Sequence, residues 1–130
     1  MAAEFNFELV SPERVLMSEM VEHIVLPGSE GQLGVLAQHA PTVVALKPGM
    51  INVLKGSTVE RRIYVRGGFA EINPEAVTVL AEHALDMDSA DGDAIANEIA
   101  IAEKDLADAA ADDDQAKFLA QSALDVLRAV

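Results

Sequence analysis

The sequence predicts a β-plus-α protein: a strand-rich N-terminal domain of sandwich or barrel type, followed by an antiparallel hairpin of two short helices. Three observations predict it. Short apolar or alternating runs, separated by Gly-, Pro- and Asn-containing turns, recur through the first 85 residues. No long helical pattern interrupts them, which argues against parallel βαβ units. Near Asp86 the β-branched residues thin out, alanine takes over, and eleven acids with one base, Lys104, fall between Asp86 and Asp114.

The strands read as follows. "FNFELV" alternates, placing Phe5, Phe7 and Leu9 on one face. "MVEHIVLP" is a strand ending at Pro27. "TVVALKPGMINVL" is two β-rich runs broken by a turn at Pro48-Gly49. "VERRIYV" alternates Val59, Ile63 and Val65, with Arg61 interrupting the apolar face. "GGFAEI" follows a Gly67-Gly68 turn, and "AVTVLA" follows the "NPE" turn.

The helices come next. Ile95, Ile99, Ala102 and Leu106 recur at spacings of four, three and four, one face of a helix. Ser89 or Asp91 is expected to cap it, and the acids around its start suit the helix dipole. "AAADDD" breaks the pattern, and Asp112 to Asp114 supply a cap for a second helix. Leu119, Ala123, Val126 and Val130 share a face of that helix, with Phe118 and Leu127 beside it. These stripes are thin and alanine-rich, so the hairpin is expected to be marginal alone and to pack on the strand domain or a partner. The domain division falls at 1–86 and 87–130.

Composition narrows the function. The chain has 130 residues, of which 51% are apolar and 24% charged, enough for a packed core of one or two small units. Acids outnumber bases 22 to 9, a formal charge of -13, which makes nucleic acid a poor partner. No cysteine is present, so disulfides and thiolate metal sites are excluded. "MAAEFNFELV" is not a signal peptide, and no apolar run approaches the roughly 18 residues of a spanning helix.

No catalytic constellation is legible. His23, His39 and His83 form no HExxH array or metal triad, and a structural role is expected for each. The glycines of "GSEG" lack the Lys-Ser/Thr of a phosphate-cradling loop. Two readings follow from the residues: a docking module, or a small hydrolase assembling His39 with Ser29 or Ser57 and an acid. The stretch "PGSEGQLGVLAQHAP", residues 27 to 41, is the most conspicuous candidate for contact with a partner.

The ordered set Ser11-Pro12, Pro27-Gly28, Glu30-Gly31, Gly34-Val35-Leu36, His39-Ala40-Pro41, Leu46, Pro48-Gly49, Gly67-Gly68 and Val79-Leu80-Ala81 resembles the epsilon subunit family of F-type ATP synthases, called delta in mitochondria. The resemblance covers roughly residues 5 to 85. It implies a flattened ten-stranded β-sandwich followed by two helices, with no catalytic residue, metal or cofactor. It also implies a rotor subunit at the foot of the central stalk, bound to the gamma subunit and the ring of c subunits, coupling proton flow to ATP synthesis. In that setting the protein is peripheral to the bacterial inner membrane on its cytoplasmic side. The helical hairpin of some members extends toward the alpha/beta catalytic head and inhibits ATP hydrolysis.

Carried over residue by residue, the resemblance places Ser29, Glu30, Gln32 and His39 at the c ring. Gln32 stands where many members have an acid, which removes an ion pair and keeps hydrogen-bonding capacity. "LDVLRA", Leu124 to Ala129, matches the letters of the family's nucleotide-binding pattern, making Asp125 and Arg128 the candidates. It sits at the end of the chain rather than near the start of the second helix, which argues against ATP binding.

Overall fold

The computed structural model describes residues 3–12, 14–81, 83–88, 92–109 and 112–129. Among these residues eight strands and two helices follow in order: β1 (Phe5–Val10), β2 (Val15–Val21), β3 (His23–Gly28), β4 (Gly31–Leu36), β5 (Thr42–Lys55), β6 (Thr58–Ile72), β7 (Ala76–Leu80), β8 (Ala84–Asp86), α1 (Gly92–Asp108) and α2 (Asp114–Arg128). The chain divides into two compact units, Met1–Asp88 and Ser89–Val130.

In the first unit the strands form one hydrogen-bonded sheet, ordered β2-β1-β7-β6-β5-β3-β4, with β8 paired to β6. β1 and β7 are parallel and every other pair is antiparallel. The sheet folds on itself through its two longest strands. The C-terminal part of β6 pairs with β7, whereas Ile63–Val65 pairs with β8. Phe5, Phe7, Leu9, Val77 and Val79 from one layer therefore share a core with Ile24, Leu26, Val35 and Ile51 from the other. β1 shows why: its alternation buries every second side chain, starting with Phe5.

Two turns expected from the sequence are not turns. Pro48-Gly49 and Gly67-Gly68 lie inside β5 and β6, whose mutual register runs continuously from Thr42↔Ile72 to Lys55↔Thr58 with one bulge. Pro48 is opposite Arg66 and Gly68 is opposite Leu46, so the two pairs are near neighbours across the ladder but not partners. Glycine here permits a corner without ending the strand. Gly67 and Gly68 have φ of +92° and +131°, and a Cβ on Gly68 would lie 2.1 Å from the Leu80 carbonyl oxygen. The expected strand count of ten is corrected to eight, because β5 and β6 each pass through a corner that the sequence reads as a break.

The strand expected over residues 20 to 27 is likewise the end of β2, a bend at Glu22, and β3. Pro27 does not terminate β3. It sits where β3–β5 pairing is interrupted, between Val25 and Gly28, so its missing N–H leaves no ladder bond broken. Gly49 accommodates it, since a Cβ there would lie 2.6 Å from Pro27 Cβ. The odd phase of "VERRIYV" has a similar local cause. Register shifts between Val53↔Arg61 and Leu54↔Val59, so Glu60 is the extra residue of a bulge and Val59 turns outward.

In the second unit α1 presents the expected face: Ile95, Ile99 and Leu106 are half-buried and Ala102 is buried. The expected caps Ser89 and Asp91 lie outside the described residues, as does Val130. α2 differs from expectation. Its buried residues are Ala120, Ala123, Leu124 and Leu127, while Phe118 and Leu119 are exposed. The seam is rotated about one residue from the expected stripe, because small alanines allow close approach where Phe118 would hold the helices apart. Asp113 caps α2, its Oδ1 accepting from the Ala116 N–H at 3.0 Å. Asp113→Ala should cost about 1 kcal/mol of helix stability, read as lost amide protection across residues 114–118 with the strand unit unchanged.

Candidate docking surface

The stretch "PGSEGQLGVLAQHAP" is a β-hairpin rather than a loop. β3 and β4 pair from His23↔Leu36 to Gly28↔Gly31, leaving Ser29 and Glu30 as a two-residue turn. Two glycines make the turn. Gly31 has φ +137°, and a Cβ on Gly28 would meet the Gly31 carbonyl oxygen at 2.6 Å. The Ser29 N–H donates to the Ala45 carbonyl at 2.9 Å, tying the tip to β5 near its corner. Ser29, Glu30 and Gln32 are all exposed. β4 is the terminal strand of the sheet, so Gln32 lies on an edge.

His39 is held apart from these three. β4 is six residues long, which puts about 17 Å between the turn and the far end of the hairpin. Beyond it Gln38 adopts φ 66° and donates its N–H to the Pro74 carbonyl at 2.8 Å. The half-buried His39 engages its neighbour's carbonyl, Nδ1 to Ala40 O at 2.8 Å. The Gln38 bond thus ties the chain beside His39 to the turn between β6 and β7, away from the hairpin tip.

No serine–histidine set forms at these positions. Ser29 is at the β3–β4 turn and Ser57 at the separate β5–β6 turn. A cleft of about 490 Å³ in this unit is lined by acids and bases including Glu4, Glu19, Glu60, Lys55 and Arg61, with neither serine nor histidine on its wall. Arg61 spans its edge, 3.4 Å from Glu19, with Nη1 3.2 Å from Met17 Sδ. His23 lies over Gly34, where a Cβ would come within 3.3 Å of its Nε2. His83 offers its carbonyl to the Arg66 N–H at 3.2 Å. In the helical unit Arg128 is 3.6 Å from Glu103, and Asp125 accepts from the Gln121 amide at 2.9 Å. Both nucleotide candidates therefore already have neighbours on the helices.

The feature that sequence reading missed is on the outer face of the layer carrying β1. Ala45, Phe69, Leu80, Val10 and Val15 stand directly opposite one another on β5, β6, β7, β1 and β2. Phe69 is 57% exposed, Leu80 46% and Val15 55%. Four interstrand steps make this an apolar row about 19 Å long. Two residues along the strands (three on β2, past its bulge), about 7 Å away, runs a second row: Val43, Glu71, Thr78, Glu8 and Ser18. An apolar row on a solvent-facing sheet marks a contact surface rather than a reaction site. The sequence signal was a lapse of alternation at Leu9-Val10, Phe69-Ala70 and Val79-Leu80, and strand pairing was needed to align these positions.

Known proteins share this sequence pattern and fold. The model of the ATP synthase delta/epsilon chain β-sandwich domain matches residues 4–87. An ATP synthase epsilon chain of Parvibaculum lavamentivorans is 49% identical over 127 residues, covering 98% of this chain and 92% of the relative. One from Mesorhizobium japonicum is 47% identical over 127 residues, covering 98% and 93%. Among solved structures, a chain of the Euglena gracilis mitochondrial ATP synthase OSCP/F1/c-ring assembly superposes with a TM-score of 0.68 at 24% identity, covering 98% of this chain and 79% of that one. A chain of the Tetrahymena thermophila ATP synthase central stalk and c-ring gives a TM-score of 0.56 at 14% identity, covering 95% and 98%. These two likenesses are of fold.

Proposed function

The chain belongs to the ATP synthase delta/epsilon family, and from that premise we propose that it is a non-catalytic central-stalk subunit of a proton-translocating ATP synthase. It couples rotation of the c ring to ATP synthesis by standing as a rigid wedge between gamma and the ring. The observation that carries this reading is the exposed apolar row Ala45–Phe69–Leu80–Val10–Val15, a face built to be covered. A continuous sheet folded over one core transmits force without yielding, because close-packed interiors compress little.

Gamma takes the apolar row. The c ring takes the β3–β4 tip through Ser29, Glu30 and Gln32, with His39 as a further contact. Exposed polar groups at a tight turn suit the polar loops of a membrane ring, and the glycines fix the turn's shape. The strand domain, residues 1–86, thus carries both contacts. The helical pair, residues 87–130, serves regulation, reaching the alpha/beta head when extended. Among the described residues no helix is long and apolar enough to cross a membrane. In this reading, attachment to the cytoplasmic side of the inner membrane is through the complex.

The test is reconstitution. The chain should co-purify with gamma and restore coupled ATP synthesis to complexes stripped of their epsilon subunit, while hydrolysing no ATP alone. Failure to bind gamma sinks the reading. With the complex in hand, Glu30→Ala combined with Gln32→Ala should weaken attachment to the c ring while leaving gamma binding intact. Unchanged retention on c-ring membranes would remove the hairpin tip from the interface.

A further inference from the structure

The two rows on the outer face differ in chemistry, and that difference specifies what covers them. The first row is wholly apolar. The second carries two carboxylates, Glu8 and Glu71, each directly opposite Thr78. Neither carboxylate has a hydrogen-bond or ion-pair partner among the described residues. Two strand spacings separate them, about 10 Å.

A sheet face offers a partner side chains only, since its own backbone groups are committed to the ladder. Whatever lies on it must satisfy its own backbone hydrogen bonds. The apolar row is about 19 Å long and one side chain wide, which matches one helix of about 13 residues. Along a helix, residues seven apart rise about 10.5 Å and share a face. That spacing matches the separation of Glu8 and Glu71.

We propose that this face receives a single amphipathic helix of its partner, with an apolar stripe over Phe69 and Leu80 and two Lys or Arg residues, seven positions apart, over Glu71 and Glu8. The proposal rests on the docking reading above and adds the chemistry and register of the occupant. The apolar row supplies affinity. The carboxylate pair sets the lateral register, because a helix laid one row over would place its cations on Phe69 and Leu80 and its apolar stripe on two charges.

The test measures binding of purified gamma to the full chain across a salt series. Glu8→Gln and Glu71→Gln should each weaken binding about threefold at low salt, and about tenfold together. The double variant should also lose much of the salt dependence seen with the unaltered chain. Glu8→Asp with Glu71→Asp, which keeps both charges, should retain that salt dependence. The control is Phe69→Thr, which removes apolar contact and leaves both carboxylates. If Phe69→Thr weakens binding while the double Gln variant matches the unaltered chain in affinity and salt dependence, the charge register is overturned and docking stands. If Phe69→Thr also binds as the unaltered chain does, the docking reading fails and takes the proposal with it.

Discussion

Replacing Phe69 and Leu80 together by threonine should abolish stable attachment to gamma while leaving the isolated chain folded. The two side chains are directly opposite on β6 and β7 and are 57% and 46% exposed, so little of the sandwich core depends on them. Threonine is β-branched and favoured in strands, which limits the cost to the sheet. At an interface the same side chains act differently. Aromatic anchors at the centre of a contact commonly contribute about 2 kcal/mol or more, and an aliphatic neighbour adds to it. A combined loss of roughly 3 kcal/mol is about a hundredfold in Kd. Titration calorimetry against gamma should show that loss, and thermal melting of the isolated variant should stay close to the unaltered chain. A melting point that falls in step with binding would mean that Phe69 supports the fold instead.

Gly68→Ala should produce the largest stability loss of any alanine substitution at a glycine in this chain. The added methyl would lie 2.1 Å from the Leu80 carbonyl oxygen and 3.1 Å from its carbon. Those atoms are backbone, so no side-chain rotation relieves the overlap. The residue also holds φ +131°, which L-residues rarely adopt. Clash and strain together should cost about 3 kcal/mol or more, enough to unfold a marginal domain. Gly56→Ala is the matched comparison. It has φ +61° with open space around the Cβ, so it should cost about 1 kcal/mol. Urea melts of the two variants separate backbone strain from collision. Equal losses would show that the contact between β6 and β7 relaxes freely at this corner.

Both effects depend on facts that a one-dimensional reading sees only in part. "FNFELV" and "AVTVLA" were legible as strands because alternation at period two needs only local sequence, and burial follows it in β1 and β7. Ile95, Ile99, Ala102 and Leu106 were legible as one helix face for the same reason at the longer period. The β5 and β6 corners were not. Pro-Gly and Gly-Gly signal a change of direction, but whether the chain reverses or bends depends on what lies across the ladder. Here Pro48 faces Arg66 and Gly68 faces Leu46, so the two irregularities are near neighbours across the ladder and pairing continues past both. The exchange of Leu119 for Leu124 in the buried seam of α2 has a similar origin. Several phases of the sequence offer an apolar stripe, and contact with α1 selects one.

The sequence by itself determined that this is a strand domain followed by helices, that it carries no thiolate metal site, and that its ordered glycine, proline and histidine pattern resembles the epsilon family. Local physics suffices for these: side-chain periodicity, turn chemistry and the types of residue present. Only the tertiary structure decided that the conspicuous Pro27–Pro41 stretch holds a hairpin tip at Ser29 and Glu30, with His39 beyond the far end of β4. It alone decided that Phe69, Leu80 and Val10 form one exposed row beside a row carrying Glu8 and Glu71. Those residues come from strands far apart in sequence. Their alignment is set by interstrand register, a cooperative property of the whole sheet that no single segment encodes.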